Sequence, residues 1–100
     1  MHGFLRVKAM SQYKHITAST QLKVGFGKIK GFFISSAATV PRVTIYDSAT
    51  ANTADPELIH QFTPTSASVR MLSGDIGGIA FNKGLYVVIS GDVSMTVIYE

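Results

Sequence analysis

Along most of the chain, apolar and polar residues alternate one by one, the period of an extended strand with one face in a core and one in water. The closing stretch DVSMTVIYE is the clearest case. Val93, Met95, Val97 and Tyr99 share one face there, and Ser94, Thr96 and Ile98 share the other. RVTIYD (42–47) alternates as cleanly, with Val43 and Ile45 opposed to Thr44 and Tyr46. FLRVKAM (4–10), YKHITAS (13–19), QLKVGF (21–26), ELIHQFT (57–63) and ASVRML (67–72) predict further strands, and IAF (79–81) a short one.

Two stretches depart from this pattern. In KIKGFFISS (28–36), Lys28 and Lys30 oppose Ile29, but Phe32, Phe33 and Ile34 then follow without a polar residue. Such a run is either covered on both sides or carries a bulge, here at Gly31. Phe32 and Phe33 point to opposite faces, so at least one belongs in a core. LYVVIS (85–90) also alternates loosely, which suits a strand deep in a sheet. The Ser-Gly-Asp link at 90–92 predicts a hairpin between this run and the last one, with Gly91 at positive φ. A hairpin alone is marginal in water, so this one must pair with other strands. The last strand is therefore expected to be central or packed on the core, and trimming it to unfold the domain.

Pro41 is expected to start the strand at 42–47, the small polar residues 48–56 to form a loop, and Asn82-Lys83-Gly84 a turn. Turn signals recur about every 8–12 residues, and no helical crossover is visible that could join parallel strands. The pattern predicts an all-β chain: an antiparallel β-sandwich or jelly-roll-like barrel of about 8 short strands. At 100 residues it forms a single domain, with 1–27 a candidate attachment or oligomerisation segment.

Composition narrows the class. With no cysteine, disulfides and thiolate metal sites are excluded. No apolar run approaches the ~20 residues that span a bilayer, and the first ten residues lack the layout of a signal peptide. A soluble protein made in a cytoplasm, with no membrane partner, is the expectation. Charged residues make up 15% of the chain, against about 25% in typical soluble domains, while 46% are hydrophobic. A small monomer hides that much apolar surface poorly, so a homo-oligomer is expected. Residues 1–46 hold seven Lys and Arg and no acid, and residues 47–100 hold six acids against Arg70 and Lys83. The halves stand at +7 and −4, which make the net +3. That asymmetry either marks a nucleic-acid face or a pole that docks on an acidic partner, or is neutralised across strands by the fold.

Catalytic and metal signatures are weak. His2, His15 and His60 have no second ligand at metal-binding spacing. Asp47, Asp55, Asp75 and Asp92 sit in apparent turns, where aspartate ordinarily bonds the local backbone. Asp47, Asp55 and Glu57 lack the dense spacing of calcium loops. GFGKIKG (25–31) has no Lys-Ser or Lys-Thr pair and no following helix, so its glycines are read as a turn and a bulge rather than a phosphate loop. Lys28 and Lys30 beside Phe26, Phe32 and Phe33 suggest a nucleic-acid platform, but the wholly apolar setting of Phe32 and Phe33 argues against it. A sugar-binding face would have to use Tyr13, Tyr46, Tyr86 and Tyr99, and Tyr46 and Tyr86 alternate away from the core. The expectation is a protein that is not an enzyme and needs no cofactor or metal.

From residue 28 onward the order of pieces resembles small structural proteins of tailed bacteriophage virions. The likeness rests on GKIKGFFISSAATVPRVTIYDSATA, a strand ending HQFTPT, and the closing GIAFNKGLYVVISGDVSMTVIYE, roughly 70 of the 100 residues. Within that class the resemblance implies a capsid decoration, or cement, protein: a small β-sandwich, commonly a homotrimer, seated on the phage major capsid protein at the outer shell surface. A head-fibre, tail or baseplate module, or a carbohydrate- or receptor-binding module, is the alternative. The charge distribution nominates Arg6, Lys8, Lys28, Lys30 and Arg42 as the capsid-docking or subunit-interface residues.

Overall fold

Two long strands carry the architecture. The computed structural model describes residues 12–71 and 78–100, and within them every regular element is a strand. These are β1 (Gln12–Ile16), β2 (Thr20–Val24), β3 (Gly27–Asp47), β4 (Glu57–Phe62), β5 (Ser68–Met71), β6 (Ile79–Phe81) and β7 (Gly84–Tyr99). All pairings are antiparallel and belong to one sheet. β3 and β7 run side by side from Ile29 opposite Tyr99 to Asp47 opposite Leu85. β1 and β2 flank β7, while β4, β5 and β6 flank β3.

The widest register break between β3 and β7 falls at the level where the flanking strands also end. Ala38 lies opposite Asp92 and Arg42 opposite Ser90, so residues 39–41 form a bulge. β1 ends at Ile16 opposite Met95, and β2 begins at Thr20 opposite Val87. β4 ends at Phe62 opposite Val43, and β5 begins at Ser68 opposite Ile34. Positive φ angles gather at the same level: 59° at Thr39, 53° at Val40, 55° at Ala67 and 82° at Gly91. The sheet is creased there and folds over. Its first half-sheet holds β1, β5, β6, residues 27–38 of β3 and residues 92–99 of β7. Its second holds β2, β4, residues 42–47 and residues 84–90.

The hydrophobic pattern explains why the fold closes. On β7 the odd positions Leu85, Val87, Val93, Met95, Val97 and Tyr99 are buried on both sides of the crease. They join Ile29, Phe32, Ile34, Val43 and Ile45 of β3 in one continuous core. Each such side chain contributes about 1.5–3 kcal/mol by leaving water. Phe32 of the first half-sheet stacks on Phe62 of the second, with ring centroids 5.4 Å apart. The half-sheets thus face each other as the layers of a sandwich do.

At the crease, where backbone ladders are interrupted, side-chain hydroxyls replace the missing rungs. Ser19 Oγ accepts from Ile89 N at 2.9 Å and donates to Ile89 O at 3.4 Å. On the opposite edge Ser66 Oγ accepts from Ala37 N at 2.9 Å and donates to Ala37 O at 3.3 Å. Thr39 Oγ1 donates to Asp92 Oδ2 at 2.8 Å, tying the bulge of β3 to β7. The far end is closed by the connectors 25–26 and 82–83, which touch through Gly25 N and Lys83 O at 2.8 Å. Gly25 takes a φ of 104° there, a conformation open to glycine and strained for other residues.

The all-β antiparallel prediction holds, with seven strands among the described residues where about eight short ones were expected. Several expectations are corrected. KIKGFFISS and RVTIYD are one strand, and Pro41 sits in its central bulge rather than at a strand start. LYVVIS and DVSMTVIYE are likewise one strand, so no hairpin forms at 90–92. Gly91 does adopt positive φ, but to bend the strand, not to reverse it. The break in KIKGFFISS is a bulge: the register shifts between Ile29 and Gly31, which lets Ile29 and Phe32 both face inward. The strand expected at 4–10 lies outside the described residues.

Candidate docking surface

β2 and β3 both reach the end of the molecule away from the crease, and the short connector between them brings Lys23, Phe26, Lys28 and Lys30 together. The backbones of Lys28 and Glu100 exchange hydrogen bonds of 3.0 and 2.9 Å, which sets Glu100 among these lysines. Lys30 Nζ lies 3.0 Å from Glu100 Oε2. That hydrogen bond, aided by the charges of Lys30, Lys28 and Lys23, outweighs burial and holds the Glu100 carboxyl below the ordinary range. Lys23, Phe26, Gly27, Lys28 and Glu100 line a shallow cleft of about 270 Å³. Three cations surround one anion, so the local field is positive. Phe26 stands 77% exposed beside them.

Lys28 and Lys30, nominated from charge alone, are therefore brought together. Phe26, weighed beside them for base stacking, lies here as well, while Lys23 and Glu100 join them and were missed, although the lysine at 23 ahead of Gly-Phe-Gly-Lys was a legible signal. Arg42 lies elsewhere. At the crease its Nη1 donates to Pro41 O and Thr63 Oγ1, both at 3.0 Å, which makes it a tie between β3 and the segment after β4. Arg6 and Lys8 lie outside the described residues. The neutralisation weighed from sequence is realised at Lys30–Glu100, where a cation of the first half of the chain meets an acid of the second.

His2 and Asp75 lie outside the described residues, and the other acids and histidines considered for chemistry have structural partners. Burial pushes the Asp47 carboxyl up, but backbone N–H groups of Lys83, Asn82 and Gly84, with the charge of Lys83, outweigh it and hold the carboxyl below the ordinary range. Those bonds run from 2.7 to 3.3 Å. They reach backbone more than 30 residues away in sequence, not the local turn expected for this aspartate. Ser48 and then Lys83 hold Asp55 low as well, and Lys83 Nζ approaches its Oδ1 at 3.2 Å. Glu57 meets His60 at 2.8 Å. His15 sits between Thr96 Oγ1 at 3.2 Å and Ser94 Oγ at 2.9 Å. Among the described residues, no three of His, Asp and Glu gather as a metal set.

The two outer faces differ. On the first half-sheet the register places Tyr13, Ile98, Gly31 and Met71 in one cross-strand row, and His15, Thr96, Phe33 and Val69 in the next. On the second, Tyr46 and Tyr86 stand opposite each other with ring centroids 6.2 Å apart, followed by Thr44 with Val88 and Arg42 with Ser90. Phe32 is buried and Phe33 exposed, so these two rings do not form a joint stacking platform. Between the half-sheets, at the β4 and β5 edge, an apolar cleft of about 380 Å³ is lined by Phe32, Ile59, Phe62, Thr63, Arg70 and Ile79. No protein-family model, curated protein or solved structure matches this chain.

Proposed function

We propose that this protein is a virion structural component, a capsid decoration protein that binds the outer surface of a tailed-phage shell and stabilises its expanded state. The observation that carries the reading is the cationic pole at the end away from the crease. Lys23, Lys28 and Lys30 crowd one glutamate there beside an exposed Phe26. That combination of a positive field and a projecting ring suits attachment to an acidic protein surface. The resemblance over roughly 70 residues supplies the class, and copies act together as a homo-oligomer. Binding only the expanded lattice stabilises that lattice by mass action. Several copies engaging repeated sites multiply modest contacts without a deep pocket.

Incubation with purified expanded and unexpanded capsids tests this. The expected result is retention on expanded shells alone, weakened by added salt and by the triple variant Lys23→Glu, Lys28→Glu, Lys30→Glu. Equal binding to both shells, or none to either, overturns it. A sugar-binding reading draws on one specific observation, the Tyr46–Tyr86 pair on the outer face of the second half-sheet. Selective signal on a glycan array, lost in Tyr86→Ala, would favour it over the capsid reading.

A further inference from the structure

We infer that the outer face of the first half-sheet is where two copies of this chain meet, each burying the same rows of side chains. Of the seven large hydrophobic residues left exposed among the described residues, four lie on this face: Tyr13 at 77%, Phe33 at 41%, Val69 at 56% and Met71 at 60%. They are neighbours. Tyr13, Ile98 and Met71 share one row across β1, β7, β3 and β5, and Phe33 and Val69 share the row beside it. Side chains directly opposite on antiparallel strands lie within about 5 Å of one another, so the rows form one apolar patch.

The occupant follows from charge and area. Neither row contains Asp, Glu, Lys or Arg; its polar members are His15 and Thr96. An acidic partner would be drawn to the cationic pole instead. A second copy presenting the same two rows leaves no charge buried and unpaired within them. The exposed parts of the apolar side chains amount to on the order of 500 Å², near the upper end for one patch on a monomer. With the polar margin of His15, Thr96, Ser94 and Ser36, the face approaches the ~800 Å² per partner of a standard interface. Two sheet faces stack at about 10 Å, a spacing that side chains of this size fill.

This inference goes beyond the capsid reading and holds whether or not a capsid is the partner. It differs from the threefold arrangement implied by the resemblance, and sedimentation separates the two. The full chain at micromolar concentration should sediment at an even multiple of 10.8 kDa. Phe33→Glu/Met71→Glu should associate at least about 100-fold more weakly and run as the monomer, with its strand circular dichroism retained. If that variant fails to fold, Val69→Lys/Met71→Lys replaces it, because both positions are more than half exposed in the single chain. Ser90→Glu, on the other outer face, should leave the mass unchanged. A monomeric or trimeric wild type overturns the inference, as does a folded charged variant that keeps the wild-type mass. No capsid is present in this measurement, so the two proposals stand or fall separately.

Discussion

Tyr13, Ile98, Gly31 and Met71 form a row on the outer face of the first half-sheet, whereas the corresponding rows of the second offer Tyr86 with Tyr46, Val88 with Thr44 and Ser90 with Arg42. The inner faces do not differ in this way. β7 runs through both half-sheets and buries its odd positions in each, from Leu85 and Val87 to Met95 and Val97. Closing the core thus constrains one residue in two. The alternate positions are not needed for that core, and in the first half-sheet they include the exposed Tyr13, Phe33, Val69 and Met71. The contact between copies inferred above would account for that difference.

The largest expected effect comes from the line that divides them. At Gly91, with φ of 82°, an added Cβ would lie 2.6 Å from Thr39 O and 2.8 Å from Val40 O. Gly91→Val should cost about 3 kcal/mol or more, from a conformation unfavourable to a β-branched residue together with a clash against backbone. Urea denaturation would measure it. Amide signals of Val87 and Val97 should be lost at the same midpoint, because both half-sheets share β3 and β7. Separate midpoints would show that the halves are independent units.

A smaller effect is expected at Asp47, which ties the second half-sheet to the turn leading out of β6. Asp47→Ala removes the acceptor of three backbone N–H groups and should cost about 1–2 kcal/mol, discounted for solvent access at that end. The pH dependence has a definite sign. The folded carboxyl titrates below its ordinary value of 3.8, so its contribution is complete above the unfolded pKa. It is lost as pH falls through 3.8 toward the lower folded value. Wild type should lose stability across that window, and Asp47→Ala should lose less, as read by denaturation midpoints at pH 6 and pH 3.

The smallest effects compare the two edges of the crease. Ser19→Ala and Ser66→Ala each remove a hydroxyl that bonds both the N–H and the C=O of one residue, Ile89 in one case and Ala37 in the other. Each should cost about 1 kcal/mol, and the two midpoints should shift alike. A large difference between them would show that one edge bears the fold more than the other.

How far the sequence disclosed this structure depends on whether a signal was local. The alternation of Val93, Met95, Val97 and Tyr99 gave the buried face of β7, and the opposed Phe32 and Phe33 gave one ring in and one out. Ser90-Gly91-Asp92 was misread as a hairpin because a glycine at positive φ serves a turn and a bent strand equally. Only the opposing bulge at 39–41 distinguishes them, and it lies some 50 residues away in sequence. A separation of more than 30 residues likewise hid the partners of Asp47. At the pole, Lys28 and Lys30 could be nominated from charge, whereas Glu100 joins them only through the pairing of β3 with β7.

The chain has no cysteine, so single cysteines can report on each outer face in turn. The most direct test compares thiol alkylation rates of Met71→Cys and Ser90→Cys under assembled and dilute conditions. The cysteine at 71 should be shielded at least about 10-fold on assembly, while the one at 90 reacts at an unchanged rate. Equal rates at the two positions in the assembled state would contradict this expectation.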